Sequence, residues 1–171
     1  KCITTLNHLP RGMSVDETVL TIAPHSPADV LYQYLDENGY FTDWAATVNF
    51  LRDELDTSIT VYDTTGITDG RIHMTGEVVE HAGFQIAVRS TTHASGWRKA
   101  KALYLALDSI NNTAIVLDTN LPVGILHANY VINSIKKTSN VLALGVERGT
   151  RRFLFTFNAL MTLSVELEQE P

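Results

Sequence analysis

Residues 153–165, FLFTFNALMTLSV, contain the pattern that decides the fold class of this chain. The apolar side chains at every second position are Phe153, Phe155, Phe157, Ala159, Met161, Leu163 and Val165. A period of two cannot form one apolar stripe on a helix, but it places one face of a β-strand against a core. We therefore expect a central or near-central strand over residues 152–165, with its odd-numbered positions buried.

Two segments predict the helices that would cover this strand. Ser26 can cap a helix whose first position is Pro27, apolar residues follow at helical spacing, and Gly39 is a natural stop. A second helix is expected to begin near Thr91 or Thr92 and to end at residues 111–112. Its apolar stripe consists of Trp97, Ala100, Leu103, Tyr104, Leu107 and Ile110.

Shorter alternating segments predict the rest of the sheet. Residues 52–56 form a polar turn, so we expect residues 58–62 to be the return strand after a strand at 44–50. The other expected strands are 84–89, 113–118 and 124–136, with a turn at 120–122 between the last two. The predicted fold is α+β, a mainly antiparallel or mixed β-sheet with two main helices packed on one face.

Length and composition are those of one globular domain. The chain has 171 residues, of which 44% are hydrophobic and 19% charged. We expect residues 13–171 to form a single domain, because Met13 begins a plausible start of the protein. Residues 1–12 would then be an N-terminal extension or a tag-derived segment. No apolar run approaches the roughly 20 residues that a membrane span needs, and no secretory signal pattern precedes the domain.

The charge balance argues against a protein whose main task is to hold nucleic acid. Lys and Arg total 13 against 19 Asp and Glu, giving a formal net charge of −6. The basic pairs, at residues 98–99, 136–137 and 151–152, are scattered rather than clustered. A surface that binds nucleic acid requires many Lys and Arg side chains on one face to neutralise phosphates.

The residues that could carry chemistry do not form a recognisable active site. The six histidines show neither of the spacings, His-x-x-x-His and Glu-x-x-His, that suit a helical metal site. Asp53, Glu54 and Asp56 share one polar turn, whereas acid–base catalysis needs carboxyls held apart on a rigid frame. Cys2 is the only cysteine, and no nucleophile elbow, phosphate-binding loop or dinucleotide fingerprint is present. We expect no enzymatic activity, cofactor or metal.

The order of motifs resembles a known family. The relevant stretches are SITVYDTTG at 58–66, HAGFQIAVRS at 81–90, WRKAKA at 97–102, LGVERG at 144–149 and RRFLFTFN at 151–158. Over residues 26–166 they resemble the minor capsid and tail terminator proteins of bacteriophages with long, non-contractile tails. None of these stretches is a catalytic signature.

The resemblance implies a structural protein of the virion, assembled in the host cytoplasm and located at the head-proximal end of the phage tail. It implies a homo-oligomer, a hexameric ring, whose partners are the tail tube protein and a neck or head-completion protein. The ring would cap the tail tube and end its polymerisation. Phage DNA would pass through the lumen without specific binding, and no membrane is involved.

Residues 64–76 are the candidate element for contact between subunits. The segment is rich in Gly, Thr and Asp, too long for a tight turn and too polar for a core, which predicts a long loop or a mobile hairpin arm. Its candidate interface residues are Asp69, Arg71, His73 and Met74.

Three alternative functions of the whole protein stay open. They are another phage neck or head-completion protein, a small cytoplasmic enzyme with a site of scattered residues, and a nucleic-acid-binding module.

Overall fold

In a computed structural model of the chain, residues 24–71, 78–118 and 125–169 are described. They form a mixed β-sheet with two α-helices packed on one face, which confirms the α+β prediction. In chain order the elements are α1 (Pro27–Glu37), β1 (Ala45–Val48), β2 (Ser58–Arg71), β3 (Val78–Ser90), α2 (His93–Ala106), a 3₁₀ turn (Leu107–Ser109), β4 (Asn111–Leu117), β5 (Ile125–Lys137), β6 (Leu142–Val146) and β7 (Phe153–Gln169). The expectations for residues 1–12 and for the turn at 120–122 fall outside the described residues.

Strand β7 lies in the middle of the sheet, as its alternation predicted. The strand order is β1-β2-β3-β7-β5-β4, and β6 also pairs with β7. The residues of β7 that are fully buried against the helices are Phe155, Phe157, Ala159 and Met161. Phe153, Leu163 and Val165 are only partly buried. Thr156, on the opposite face, is also buried, so this part of the sheet is covered on both sides.

Both predicted helix starts are confirmed by their caps. Ser26 and Asp29 form a capping box, with 3.2 Å from the Asp29 amide to Ser26 Oγ and 3.1 Å from the Ser26 amide to Asp29 Oδ2. Thr92 caps α2 by accepting a hydrogen bond from the Ser95 amide. At the other end of α1, Gly39 follows the C-cap with a φ of +70°, which glycine adopts without strain.

Two members of the apolar stripe predicted for the second helix are not fully buried, because Tyr104 is half-buried and Trp97 is exposed. Trp97 is 41% exposed, so its assignment to the core was wrong. Gly96 occupies the inward position instead, because a Cβ there would overlap the ring of Phe155 and press on Ser90. Glycine thus lets α2 approach β7 closely, and Trp97 is left at the rim, edge-on to Phe155.

The predicted return strand was wrong in its direction. Strand β2 pairs with β1 in parallel, with Ala45 opposite Ser58 and Val48 opposite Val61. The connection at 49–57 therefore crosses the sheet rather than turning back, and its backbone lies against the buried side chain of Arg89. The polar composition of 52–56 marked a loop correctly but could not give its path.

Candidate assembly surfaces

The sheet divides into two ribbons at one end. Pairing between β3 and β7 runs from Ser90 opposite Phe153 to Ala82 opposite Met161 and stops there. Beyond that point β2 and β3 stay paired as far as Arg71 and Val78, while β7 stays paired with β5 to its end. The β2–β3 ribbon beyond Ala82 is called the hairpin arm below.

The hairpin arm coincides with the segment that the sequence marked as a contact element. Of the predicted segment, residues 64–71 lie in β2 and pair with β3 rather than forming a loop, while residues 72–76 fall outside the described residues. Asp69 lies on β2 with its side chain 62% exposed, and Arg71 ends β2 opposite Val78. His73 and Met74 lie outside the described residues. A role for these four residues in subunit contact stays a prediction.

One histidine joins the hairpin arm to the other ribbon. The Nδ1 of His81 lies 2.9 Å from Thr162 Oγ1 on β7, and its Nε2 lies 2.6 Å from Asp69 Oδ2 on β2. His81 and Thr162 occupy the first position at which β3 and β7 are no longer paired. The imidazole therefore substitutes for the missing backbone pairing and limits how far the two ribbons can separate.

Two glycines set the shape of the hairpin arm near its base. The register of β2 and β3 shifts between Thr64 and Ile67, which is a β-bulge. A Cβ on Gly66 would overlap the carbonyl oxygen of His81, and a Cβ on Gly83 would overlap that of Thr65. Only glycine permits this backbone approach, so the bend at the bulge is specified by the sequence.

Strand β6 presents an apolar edge to solvent. All five of its residues are exposed, and the edge that faces away from β7 has no partner strand among the described residues. Leu142, Leu144 and Val146 are 58%, 55% and 55% exposed. Natural sheet edges usually carry charges, proline or a covering loop, because an open apolar edge recruits other chains. The sequence LALGV contains no charged residue and no proline.

A buried arginine holds the segment that follows β6. Arg89 is 1% exposed, and its guanidinium lies 2.6 Å from Glu147 Oε1 and 2.7 Å from the carbonyl oxygen of Arg52. It thereby connects the crossing loop 49–57 to the turn after β6 across the helix-free face of the sheet. Arg152 makes a second connection, 2.9 Å from Nε to Asp56 Oδ1. These contacts fix the position of the β6 edge.

Cavities lie where the two ribbons separate, and both polar and apolar side chains line them. One of about 200 Å³ is lined by His25, Tyr130 and residues 163–165 of β7. Burial raises the pKa of Tyr130, and its hydroxyl accepts a hydrogen bond from the His25 amide at 3.0 Å. The phenol therefore stays protonated at neutral pH and acts as a structural bridge. Within the described residues there is no cluster of three or more His, Cys, Asp or Glu that could hold a metal ion.

These features define a mixed α+β sheet protein with a hairpin arm and a β6 edge that has no partner strand within the described residues. Within the described ranges, no helix is long and apolar enough to span a membrane. The model of the family described as bacteriophage tail terminator protein matches residues 27–143. That match covers more than half of the chain, which therefore belongs to the bacteriophage tail terminator family.

Membership makes the protein a structural component of the phage tail, and so of the virion. The family is structural rather than enzymatic. The motif at 151–158, part of the sequence resemblance, lies beyond the matched residues. A comparison with curated proteins gives no match.

Proposed function

We propose that the protein forms a hexameric ring that caps the tail tube at its head-proximal end. The ring ends tube polymerisation and offers its other surface to a neck or head-completion protein. Assembly takes place in the host cytoplasm, and phage DNA passes through the lumen without specific binding. Family membership supports the tail role, and the open apolar edge of β6 is the observation that carries the assembly.

The β6 edge suits a contact that repeats from subunit to subunit. An open edge offers backbone donors and acceptors that a strand or extended segment of another chain can satisfy. A contact between two different surfaces of the same chain is heterologous, and it closes into a ring when the rotation between subunits allows. Joining the β6 edge to a neighbouring subunit would also bury the three large apolar side chains that now face solvent.

The hairpin arm is the second proposed contact. It extends past the main sheet pairing, its orientation is limited by His81, and Ile67 on it is 55% exposed. We expect the arm to lie on an adjacent subunit. Deleting residues 67–73 should leave a folded monomer that no longer forms rings. Rings that persist after the deletion would show that the arm is not an assembly element.

A single charge introduced into β6 tests the role of its edge in assembly. Leu144→Lys puts an ammonium on a side chain that is already 55% exposed, so the subunit should stay folded while assembly fails. Phe50→Lys is the matched control, because Phe50 is 64% exposed in the crossing loop. Native mass spectrometry with and without tail tube protein measures the outcome. A Leu144→Lys protein that assembles like the wild type would refute the role of this edge.

A further inference from the structure

The two helices carry opposite charges. Helix α1 contains three acids and no Lys or Arg, whereas α2 contains three cations and no Asp or Glu. Both helices cover the same face of the sheet. The chain therefore presents one acidic and one basic helical surface, although its overall charge is negative.

On α2 the exposed cations lie among exposed apolar side chains. The α2 stripe is defined as Trp97, Arg98, Lys101, Ala102 and Leu105, which are all exposed and recur at helical spacing. Its two large apolar members, at positions 97 and 105, are 41% and 54% exposed. Its two cations have no carboxylate partner within the described part of the chain.

Within the subunit these two cations make only weak interactions. Arg98 Nε donates to the carbonyl oxygen of Ala94 in its own helix, and the ammonium of Lys101 lies 4.5 Å from the ring centre of Tyr104. The third cation of α2, Lys99, differs because it packs over Trp44. Burial lowers the pKa of Lys99, an effect that nearby Asp43 opposes. Lys99 therefore packs within the subunit, whereas no carboxylate of the described residues pairs with the α2 stripe.

Two of the three acids of α1 are placed where the helix itself does not favour them. Asp36 and Glu37 lie in the last turn, both are exposed, and the turn contains no basic residue. A helix C-terminus carries partial negative charge, so acids there are electrostatically unfavourable. Burial raises the pKa of Tyr32, and the charge of Asp36 raises it further. A cation from outside the subunit would relieve this repulsion.

We propose that the α2 stripe of one copy docks against Asp36 and Glu37 at the end of α1 in the next copy. The contact rests on the proposed ring and adds one more pair of surfaces to the β6 edge and the hairpin arm at its subunit interfaces. It joins two different surfaces of one chain, as a ring requires. Charge complementarity favours a second copy as the occupant. A nucleic acid would call for more cations than these two, without large apolar side chains between them.

Charge reversal and charge swap test this contact. Arg98→Glu with Lys101→Glu should raise the concentration needed for half-assembly about tenfold at low salt, and so should Asp36→Lys with Glu37→Lys. A protein that carries all four changes restores opposite charges at every interface, so its assembly should return close to that of the wild type. Mass photometry over a concentration series measures the assembly, and thermal unfolding confirms that each variant is folded.

Matched controls are the exposed residues Arg52 and Glu54 in the crossing loop, changed to Glu and to Lys. Each control changes the net charge by two, half the change of either double reversal and away from both helices, and should leave assembly unchanged. Assembly of either reversal variant at the wild-type concentration would overturn the contact and leave the ring proposal unaffected. Weakening without recovery in the four-fold variant would assign the α2 stripe to a different partner. A wild type that stays monomeric even with tail tube protein would overturn the ring itself.

Discussion

Replacing Arg89 by methionine should destabilise the protein and release the end of β6. The guanidinium is buried between two parts of the chain, with Glu147 at 2.6 Å and the carbonyl oxygen of Arg52 at 2.7 Å. Methionine keeps the apolar stem but removes both bonds. Glu147 and the crossing loop then lose their shared contact on the helix-free face of the sheet, and Arg152 still holds the loop through Asp56.

The size of the effect follows from the burial of the groups involved. A hydrogen bond to a charged group contributes about 1.5–3 kcal/mol, and Arg89 makes two strong ones. Its Nε is buried and has no hydrogen-bond partner among the described residues, which offsets about 1–3 kcal/mol of this. Glu147 is 29% exposed and regains water when the arginine is removed. We expect Arg89→Met to lower the free energy of unfolding by about 2 kcal/mol.

Urea unfolding of Arg89→Met, Glu147→Gln and the double variant measures this free energy and the coupling between the two side chains. The coupling should be about 1 kcal/mol, because the residues are in direct contact. Arg52→Met is the control. It leaves the Arg52 carbonyl in place, and it should stay within about 0.5 kcal/mol of the wild type. Amide exchange at 142–146 should also become faster in Arg89→Met. A variant as stable as the wild type, with no coupling to Glu147, would refute the reasoning.

Three further changes test the core and the hairpin arm. Phe155→Ala should lower the free energy of unfolding in urea by about 3–5 kcal/mol because the ring is fully buried. Ser164→Ala, at an exposed position on the same strand, should lower it by less than about 0.5 kcal/mol. Equal losses would mean that the register of β7 is wrong. Gly83→Ala should cost about 1–3 kcal/mol, since its Cβ would meet the backbone of β2, and an unchanged unfolding midpoint would contradict the bulge. His81→Ala should speed amide exchange along 64–71 more than in the core, and uniform exchange would show that His81 does not restrain the arm.

The sequence predicted the elements whose signals are local. The alternation in β7, the cap at Ser26 and the start of α2 near Thr92 depend on neighbouring residues only, and the structure confirms all three. The parallel pairing of β1 and β2 could not be predicted in the same way. It depends on where the crossing loop lies, and that loop contacts Arg89, which is more than thirty positions away in the chain.

The candidate surfaces were predictable only in outline. Composition marked 64–76 as a contact element and so included Asp69. The link from His81 to Thr162 joins residues 81 positions apart, and only the strand register brings them together. The exposure of strand β6 could not be predicted, because an exposed apolar strand has the same local sequence pattern as a buried one. The open edge becomes visible only once every neighbour in the sheet is placed.

The most direct test of the central claim is the length of the tail tube. Tube subunits add head to tail, and such contacts grow without limit unless a different subunit closes the end. In phage lacking this protein we expect unjoined heads and tail tubes of abnormal length in electron micrographs. Purified protein added during assembly should restore joining at a fixed ratio to tube ends, with no turnover, cofactor or metal. Normal-length tails joined to heads in its absence would contradict the account.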